Sequence, residues 1–368
     1  MADVFDIRAE ALLDALFDQG ASELVVSAHA PPSLRIDGQL VAFGSRPLSP
    51  EETRRLVEQF LNTEQRARLQ SGSVGFSFQW TDRGRVRGCA YHQRGTLAVT
   101  LRGIPGHIPG FAELHVPEAV ERLAELREGL VVFSGGAGMG ASTTQAAILD
   151  WINRSRACHV MTIEDPIEHV HFHRRSIIDQ QEVGVDTPSF AEALRRIRVQ
   201  RPDVLLVGEM PDLATITEVL AIADTGRLVL ATVRADDCAR AIEHIVDVFS
   251  TDQRQYVRTR LAHALRAVVA QRLVPGRAGG RVAAFEVLVA TEATRRLVRD
   301  GDAGGLRRLM ASAPANGSRT MEASLLELAA AGLIDGDQLG TSAPPARRPL
   351  QERPGGHAGL IEEALITV

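Results

Sequence analysis

Four short apolar runs, separated by segments with helical periodicity, dominate the central part of the chain. The runs are Leu130–Phe133, His159–Ile163, Val204–Val207 and Leu228–Ala231, and a typical intervening segment is Phe190–Arg198. Apolar runs without polar alternation are typical of strands buried on both faces, as happens when helices cover a parallel sheet. The alternation therefore predicts an α/β fold with a doubly wound, largely parallel sheet over residues 114–340.

Residues 1–102 have a different pattern, which is typical of a small α+β domain. A helix is predicted near residues 7–17, and a second helix begins after Ser49, which forms a capping-box pattern with Glu52. Six short strands are predicted at residues 24–27, 34–36, 40–43, 74–80, 85–93 and 96–101, with a hairpin turn at Asp37-Gly38. Residues 103–113 are rich in Gly and Pro and are predicted to be a linker.

The C-terminal part of the second domain is predicted to be helical. A long helix over Asp252–Leu273, capped by Ser250, begins this part. Residues 341–368 are rich in Pro, Gly and Arg without periodicity, and this composition predicts a disordered tail.

Composition excludes several classes of protein. The net charge is -5 and aromatic residues make up 4% of the chain, which argues against a nucleic-acid binder. No apolar run approaches the ~20 residues needed to cross a bilayer, the first residues lack a signal-peptide pattern, and three cysteines are widely spaced. We therefore expect a cytoplasmic protein.

A glycine-rich segment follows the first apolar run and precedes a helix, which is the context of a phosphate-binding loop. Its residues are Gly135, Gly136, Ala137, Gly138, Met139, Gly140, Ala141, Ser142 and Thr143. Glycines let backbone N–H groups turn inward, and the helix N-terminus adds its positive dipole end. Ser142 lies where a magnesium-binding hydroxyl belongs, but the position of the usual lysine is Ala141. The 41 Lys and Arg residues of the protein are all arginine, so no lysine elsewhere can replace it. From the loop alone, a simple tight strand-to-helix turn is an equally good explanation.

Two carboxylates favour the phosphate-binding interpretation. Glu164 follows the second apolar run and Glu209 follows the third. Parallel strands deliver the residues at their carboxyl ends to one edge of the sheet, where ligand sites of α/β proteins form. Carboxylates there suit Mg²⁺ and an attacking water.

Together these segments resemble the secretion ATPases of type IV pilus machines, and within them the retraction proteins of the PilT/PilU type. The resemblance covers roughly residues 7–340. It is carried by the loop above and by LRIDGQL, TIEDPIEHVH, QQEVGVDTPSFAEALR, RPDVLLVGEM, DTGRLVLAT, QRLV, GGRVAAFEVLVAT and ATRRLVRD. It implies a PAS-like N-terminal domain (1–102), a RecA-like ATPase domain (114–340) and a hexameric ring. In that family ATP with Mg²⁺ binds between the two domains and powers pilus disassembly at the inner membrane.

The resemblance also implies roles for single residues. Residues 135–143 would hold the phosphates, with Ser142 reaching Mg²⁺ through the nucleotide. Glu164 would polarise the attacking water, and Glu209 would be the Walker B carboxylate. Three arginines of the N-terminal domain match family arginines that reach the phosphates, namely Arg85, Arg87 and Arg102. The guanidinium fork suits this task because it binds phosphate oxygens bidentately.

Departures from the family pattern concern charged site residues. Ala141 replaces the loop lysine, Arg234 replaces the His-box histidine, and Pro211 replaces the arginine after Gly-Glu-Met. Loss of one charge-assisted phosphate contact costs about 3–4 kcal/mol of transition-state stabilisation by analogy with single oxyanion donors. The sequence thus predicts a motor with an impaired nucleotide site. The resemblance implies that it is a homo-hexamer or assembles with an intact PilT-type paralogue. Its expected partner is a pilus platform protein of the inner membrane. Two alternatives stay open: a self-sufficient ATPase in which arginine compensates, and a nucleotide-independent adaptor of the platform.

Overall fold

The computed structural model describes residues 8–36, 39–81, 83–136, 138–312 and 316–340. The described chain forms two compact units that divide between His107 and Ile108, within the predicted linker. The predicted hairpin turn at Asp37-Gly38 and the predicted tail at 341–368 lie outside the described residues. No helix in the described ranges is long and apolar enough to span a membrane.

The first unit is built on a six-stranded antiparallel sheet with the order β3-β2-β1-β6-β5-β4. Its strands are β1 Glu23–Ser27, β2 Ser33–Ile36, β3 Gln39–Ala42, β4 Val74–Trp80, β5 Gly84–Gln93 and β6 Thr96–Pro105. Three helices accompany the sheet, α1 Ala9–Asp18, α2 Pro50–Gln59 and α3 Thr63–Leu69. The capping box at α2 is confirmed, because Glu52 N donates to Ser49 Oγ at 3.2 Å and Ser49 N donates to a Glu52 carboxylate oxygen at 2.8 Å.

Strand β6 is longer than the sequence indicates. It continues to Pro105, and its residues Gly103 and Ile104 pair with Val86 and Arg85 of β5. The Gly- and Pro-rich composition of 103–113 suggests a linker from its first residue, but cross-strand pairing with β5 extends the sheet into it.

The second unit contains a seven-stranded sheet with the order β13-β12-β7-β11-β10-β8-β9. Its strands are β7 Gly129–Ser134, β8 His159–Glu164, β9 Ile177–Glu182, β10 Val204–Val207, β11 Leu228–Val233, β12 Leu265–Pro275 and β13 Arg281–Val289. Neighbouring strands from β12 to β9 are parallel, and only the β12–β13 pair of this sheet is antiparallel. The predicted doubly wound, RecA-like α/β sheet is confirmed.

Helices cover both faces of this sheet. They are α4 Glu118–Glu121, α5 Ala141–Ser155, α6 Phe190–Gln200, α7 Leu213–Ala223, α8 Cys238–Asp247, α9 Thr251–Ala264, α10 Glu292–Asp300, α11 Ala303–Ser312 and α12 Met321–Ala330. Alternate residues of β7 face opposite sides: Val131 and Phe133 pack with α5, whereas Leu130 and Val132 pack in the cluster formed with α6 to α9. All four are fully buried, which explains why the run carries no polar residue.

The predicted long helix over Asp252–Leu273 is wrong in its second half. Helix α9 ends at Ala264, and Leu265 already has extended backbone angles. The following segment pairs with β7 on one side and with β13 on the other. The side chains of Ala267, Val268, Val269 and Ala270 on this strand are completely buried. A short apolar run of this kind is compatible with a buried helix and with a buried strand. Here pairing with the neighbouring strands β7 and β13 makes it a strand. The helical part of the C-terminus therefore begins only at α10.

Candidate functional site

The glycine-rich loop connects the end of β7 at Ser134 to the start of α5 at Ala141. Gly138 and Gly140 have left-handed backbone angles, with φ of 77° and 86°, and Gly140 is the N-cap of α5. Met139 N donates to Gly136 O at 3.1 Å, which closes the turn. The loop thus wraps around the N-terminus of a helix, the arrangement that directs backbone N–H groups at an anion. Ala137 lies outside the described residues.

Gln271 on β12 packs against the glycine-rich loop and bonds the helix that follows it. Gln271 is 5% exposed, and Thr144 on α5 donates from its Oγ1 to the Gln271 Oε1 at 2.8 Å. A Cβ at Gly140 would lie 2.6 Å from Gln271 Nε2, and a Cβ at Gly135 would lie 2.9 Å from the Gln271 carbonyl oxygen. The positions of these glycines are therefore required by close packing as well as by backbone angle. The sequence predicts no role for Gln271, because the segment that carries it has the pattern of a helix.

Ala141 and Ser142 are the first two residues of α5. Ala141 is partly buried against the cluster under α5, while Ser142 is exposed. The exposed hydroxyl at Ser142 fits the role of a magnesium ligand beside bound phosphates. The methyl group at Ala141 contributes no charge to the site.

Glu164 and Glu209 lie side by side at the carboxyl edge of the sheet. Glu164 is the last residue of β8, and Glu209 follows β10 after Gly208. Gly208 N donates to Ile163 O at 2.8 Å, and a Cβ at Gly208 would lie 3.2 Å from the Glu164 Cα. The strand order β7-β11-β10-β8 sets the glycine-rich loop, then residue 234, then the two carboxylates along this edge. The structure therefore brings together the three predicted parts of the site.

The pKa of the Glu164 carboxyl lies near neutral pH, as suits a proton acceptor. Burial raises its pKa to about 7, although hydrogen bonds from Thr162 and Gln180 act in the opposite direction. Thr162 Oγ1 donates to Glu164 Oε1 at 2.6 Å, and Gln180 Nε2 donates to the same oxygen at 3.2 Å. A general base works best when its pKa lies near the operating pH, so this carboxyl suits the polarisation of water.

Glu209 is held by Arg234, the residue at the His-box position. Arg234 Nε lies 2.6 Å from Glu209 Oε1, and Arg234 Nη2 donates to Glu209 Oε2 at 2.9 Å. The guanidinium thus engages both carboxylate oxygens in the bidentate geometry typical of strong Arg–carboxylate pairs. The bidentate guanidinium offsets the negative charge of Glu209 and so weakens its attraction for Mg²⁺, although each carboxylate oxygen keeps a free lone pair. The residues therefore fit the phosphates of a nucleotide well, and they fit the metal best through Ser142.

A second contact of the loop helix was not predicted from the sequence. His169 Nε2 lies 3.3 Å from Thr143 Oγ1, and the carbonyl oxygen of His169 accepts from Gln180 at 2.8 Å. Because Gln180 also bonds Glu164, a continuous network joins Thr143, at the end of the glycine-rich segment, to the Glu164 carboxyl. Burial lowers the pKa of His169 and lowers the pKa of His171 to about 4, so both rings are neutral at physiological pH. Among the described residues, no group of three His, Cys, Asp or Glu side chains could hold a metal ion by itself.

Arg85, Arg87 and Arg102 lie together in the first unit. Arg87 and Arg102 are cross-strand partners on β5 and β6, and Arg85 lies two residues from Arg87, so the three share one face of the sheet. Arg85 Nη2 donates to Ser77 Oγ at 2.5 Å, and Arg102 is exposed. Their contact with a nucleotide remains a prediction.

The parallel sheet, the glycine-rich loop at a helix N-terminus and the adjacent carboxylates define a RecA-like domain of the P-loop ATPase class. Residues 110–334 match the family model "Type II/IV secretion system protein". The type IV pilus ATPase PilU of Pseudomonas aeruginosa is 38% identical over 327 residues, 88% of this chain and 86% of that protein. The type IV pilus retraction ATPase PilT of the same organism is 37% identical over 317 residues, 86% of this chain and 92% of that protein.

A solved structure, described as the pilus retraction motor PilT with bound ADP, is similar over nearly the whole chain. It is 38% identical, covers 92% of this chain and 98% of its own, and has a TM-score of 0.85. The chain belongs to the type II/IV secretion system protein family, and its PilT/PilU-type resemblance is confirmed.

Proposed function

We propose that the chain is a subunit of a ring-forming motor that retracts a type IV pilus. Support comes from the relatives, of which one is named a type IV pilus retraction ATPase and another a type IV pilus ATPase. The similarity extends over both units, so it covers the N-terminal sheet as well as the ATPase domain. In this proposal both units contribute the head-to-tail surfaces that close such a ring.

The observation that carries the proposal for the site is the loop held at the start of α5. Its left-handed glycines Gly138 and Gly140, with Gly140 and Gly135 packed against Gln271, form the cradle that ATP phosphates need. In this proposal Ser142 holds Mg²⁺ through the nucleotide and Glu164 polarises the attacking water. Arg85, Arg87 and Arg102 approach the phosphates from the N-terminal domain. Hydrolysis of the bound ATP supplies the free energy of movement.

The same site is proposed to work poorly in the chain alone. Ala141 removes the cation that reaches the β- and γ-phosphates, and Arg234 occupies both oxygens of Glu209. Positioning and charge stabilisation account for nearly all catalysis of phosphoryl transfer, so two such departures act on the essential steps. The chain would then assemble as a homo-hexamer or together with an intact PilT-type paralogue that provides most of the turnover.

A second candidate follows from the position of Arg234. Val233 pairs with Ser134, so residue 234 lies beside the first residue of the phosphate loop. If Arg234 leaves Glu209 when nucleotide binds, its guanidinium supplies the positive charge that Ala141 lacks. The chain would then be a self-sufficient ATPase.

The proposed setting is the cytoplasmic face of the inner membrane, reached through a platform protein of the pilus machine, with no nucleic-acid partner. Deletion of the gene is expected to leave pili on the cell surface and to reduce their retraction. Twitching-zone diameter and the number of surface pili measure this, and re-expression of the natural chain should restore both. Deleted cells that retract pili as the parent strain does would contradict the proposal.

A further inference from the structure

A cavity of about 630 Å³ lies at the edge of the second sheet opposite to the phosphate loop. The residues that line it precede the parallel strands: Cys158 precedes β8, Asp203 precedes β10 and Arg227 precedes β11. The strands begin here and end at the nucleotide site. The cavity is therefore separate from the site already described, and its volume is in the range of small-molecule pockets.

Five arginines line the cavity, together with a single acidic residue, Asp203. The arginines are Arg127, Arg156, Arg175, Arg201 and Arg227. Within the described ranges none of the five forms an ion pair with a carboxylate, although most other arginines of this unit do. Asp203 accepts a hydrogen bond from the backbone N–H of His159 at 2.9 Å instead. The guanidinium groups of the cavity are thus only partly offset by nearby negative charge, with Glu125 acting on Arg156 from outside ion-pair distance.

Two of the five guanidinium groups are fixed in place. Arg156 donates from Nη1 to Leu126 O at 2.6 Å and from Nη2 to Ala124 O, and it stacks over the Trp151 ring at 5.8 Å. Arg227 donates from Nε to the carbonyl oxygen of Pro202 at 3.1 Å and from Nη1 to Thr225 Oγ1. Burial, and secondarily the charge of Arg127, lowers the pKa of Arg156. A fixed cation with a like charge beside it, as Arg156 has in Arg127, is poised to receive an anion.

The other three arginines are free to move onto a ligand. The side chains of Arg127, Arg175 and Arg201 have neither a hydrogen-bond nor an ion-pair partner in the part of the chain that the structure describes. All three are exposed. They can close on an anion without breaking an existing contact.

The negative ends of nearby helices do not balance the charge of the five arginines. The helices α5, α6 and α7 all end around this cavity, and each C-terminus carries roughly half a negative charge. Three such ends and the charge of Asp203 offset only about half of the five positive charges. The surplus leaves the cavity electropositive, which favours an anion in it.

We propose that this cavity binds a small, multiply phosphorylated anion of the nucleotide or polyphosphate class. Guanidinium forks match phosphate oxygens bidentately, and five of them around one cavity suit more than one phosphate. A protein partner fits less well, because the aromatic side chains that accompany arginine at interface centres are not in this lining. The largest apolar side chain in the lining is Val204. The proposal does not depend on the function proposed above.

The test is calorimetric titration of the full chain with sodium pyrophosphate, without Mg²⁺ and at constant ionic strength. The cavity variant is Arg175→Gln/Arg201→Gln, which changes two exposed side chains. The matched control is Arg195→Gln/Arg196→Gln, which removes the same charge from the exposed face of α6. A second cavity variant, Arg127→Gln, tests the arginine beside Arg156, and thermal melting verifies that each variant is folded.

The natural chain is expected to bind pyrophosphate, and the cavity double variant should bind roughly tenfold or more weakly. The control should remain within about twofold, because its charges act only at long range. On binding, amide exchange should slow at 155–158 and 201–204. Absence of binding, unchanged affinity in both cavity variants, or equal weakening in the control would overturn the proposal. Loss of ring assembly in the cavity variant with unchanged pyrophosphate affinity would also overturn it, and would assign the cavity to a neighbouring subunit.

Discussion

Replacement of Ala141 by lysine is expected to restore most of the missing nucleotide affinity. Ala141 is the first residue of α5 and is only partly buried, so a lysine side chain can extend over the loop without burying its charge. A cation about 4 Å from a phosphate oxygen gains about 4 kcal/mol per unit charge at an effective dielectric constant of about 20. Solvent exposure and lost side-chain freedom reduce this gain to about 1.5–3 kcal/mol. ATP affinity should therefore rise about tenfold to a hundredfold.

Turnover is expected to rise less than affinity in this variant, because Glu209 remains paired with Arg234. Arg234 is 69% exposed and Glu209 is 29% exposed, so breaking the pair costs about 1 kcal/mol or less. That cost corresponds to about fivefold in rate. Ala141→Lys/Arg234→His should recover this factor over Ala141→Lys alone. Equilibrium titration with a fluorescent ATP analogue and steady-state phosphate release measure the two effects separately.

The single variant Arg234→His decides between the two candidate roles of this arginine. If Arg234 only restrains Glu209, the variant should keep ATP affinity within about twofold of the natural chain. If Arg234 replaces the missing lysine, the variant should lose about tenfold or more in affinity. Ala141→Lys without a gain in ATP affinity would refute the assignment of residue 141 as the main defect.

Three further predictions concern stability. Gly140→Ala should lower the free energy of unfolding by about 1–2 kcal/mol in denaturant titrations, because φ is 86° there, whereas Gly136→Ala should change it little. The pKa of Glu164 is about 7 when folded and 4.5 in the unfolded reference, so the free energy of unfolding should fall as pH rises between these values, by up to about 3 kcal/mol. Glu164→Gln should abolish that fall and the exposed Glu322→Gln should not. Ser49→Ala should lower the melting temperature through loss of about 1 kcal/mol of capping.

The central sheet and the glycine-rich turn after β7 could be predicted from local sequence patterns, because nearby residues determine the conformation of these segments. The capping box at Ser49 uses contacts within one turn, and the β7 run is apolar because both faces are covered. The prediction of a helix over residues 265–273 was wrong for the opposite reason, since pairing with β7 and β13 decides the conformation of this segment. The extension of β6 to Pro105 has the same cause. Long-range pairing overrides local preference in both places.

In the candidate site, too, the features set by local pattern could be predicted and those set by long-range contacts could not. The positions of Glu164 and Glu209 could be predicted, because the ends of parallel strands meet at one edge. The contact of Arg234 with Glu209 could not, since it joins residues 25 positions apart through side-chain rotamers. Gln271 is 127 positions from its partner Thr144 and lies on a strand that the pattern predicted as helix. The basic cavity likewise assembles arginines from several separate segments of the chain.

ATP turnover by the purified natural chain tests the central claim most directly. With Ala141 at the lysine position and Arg234 on Glu209, the chain alone should hydrolyse ATP near background, and addition of an intact PilT-type paralogue should produce the turnover. Glu209→Gln in the natural chain should then change little. A natural chain that turns over ATP at the rate of an intact motor, and loses that activity on Glu209→Gln, would contradict the impaired-site account and establish a self-sufficient ATPase.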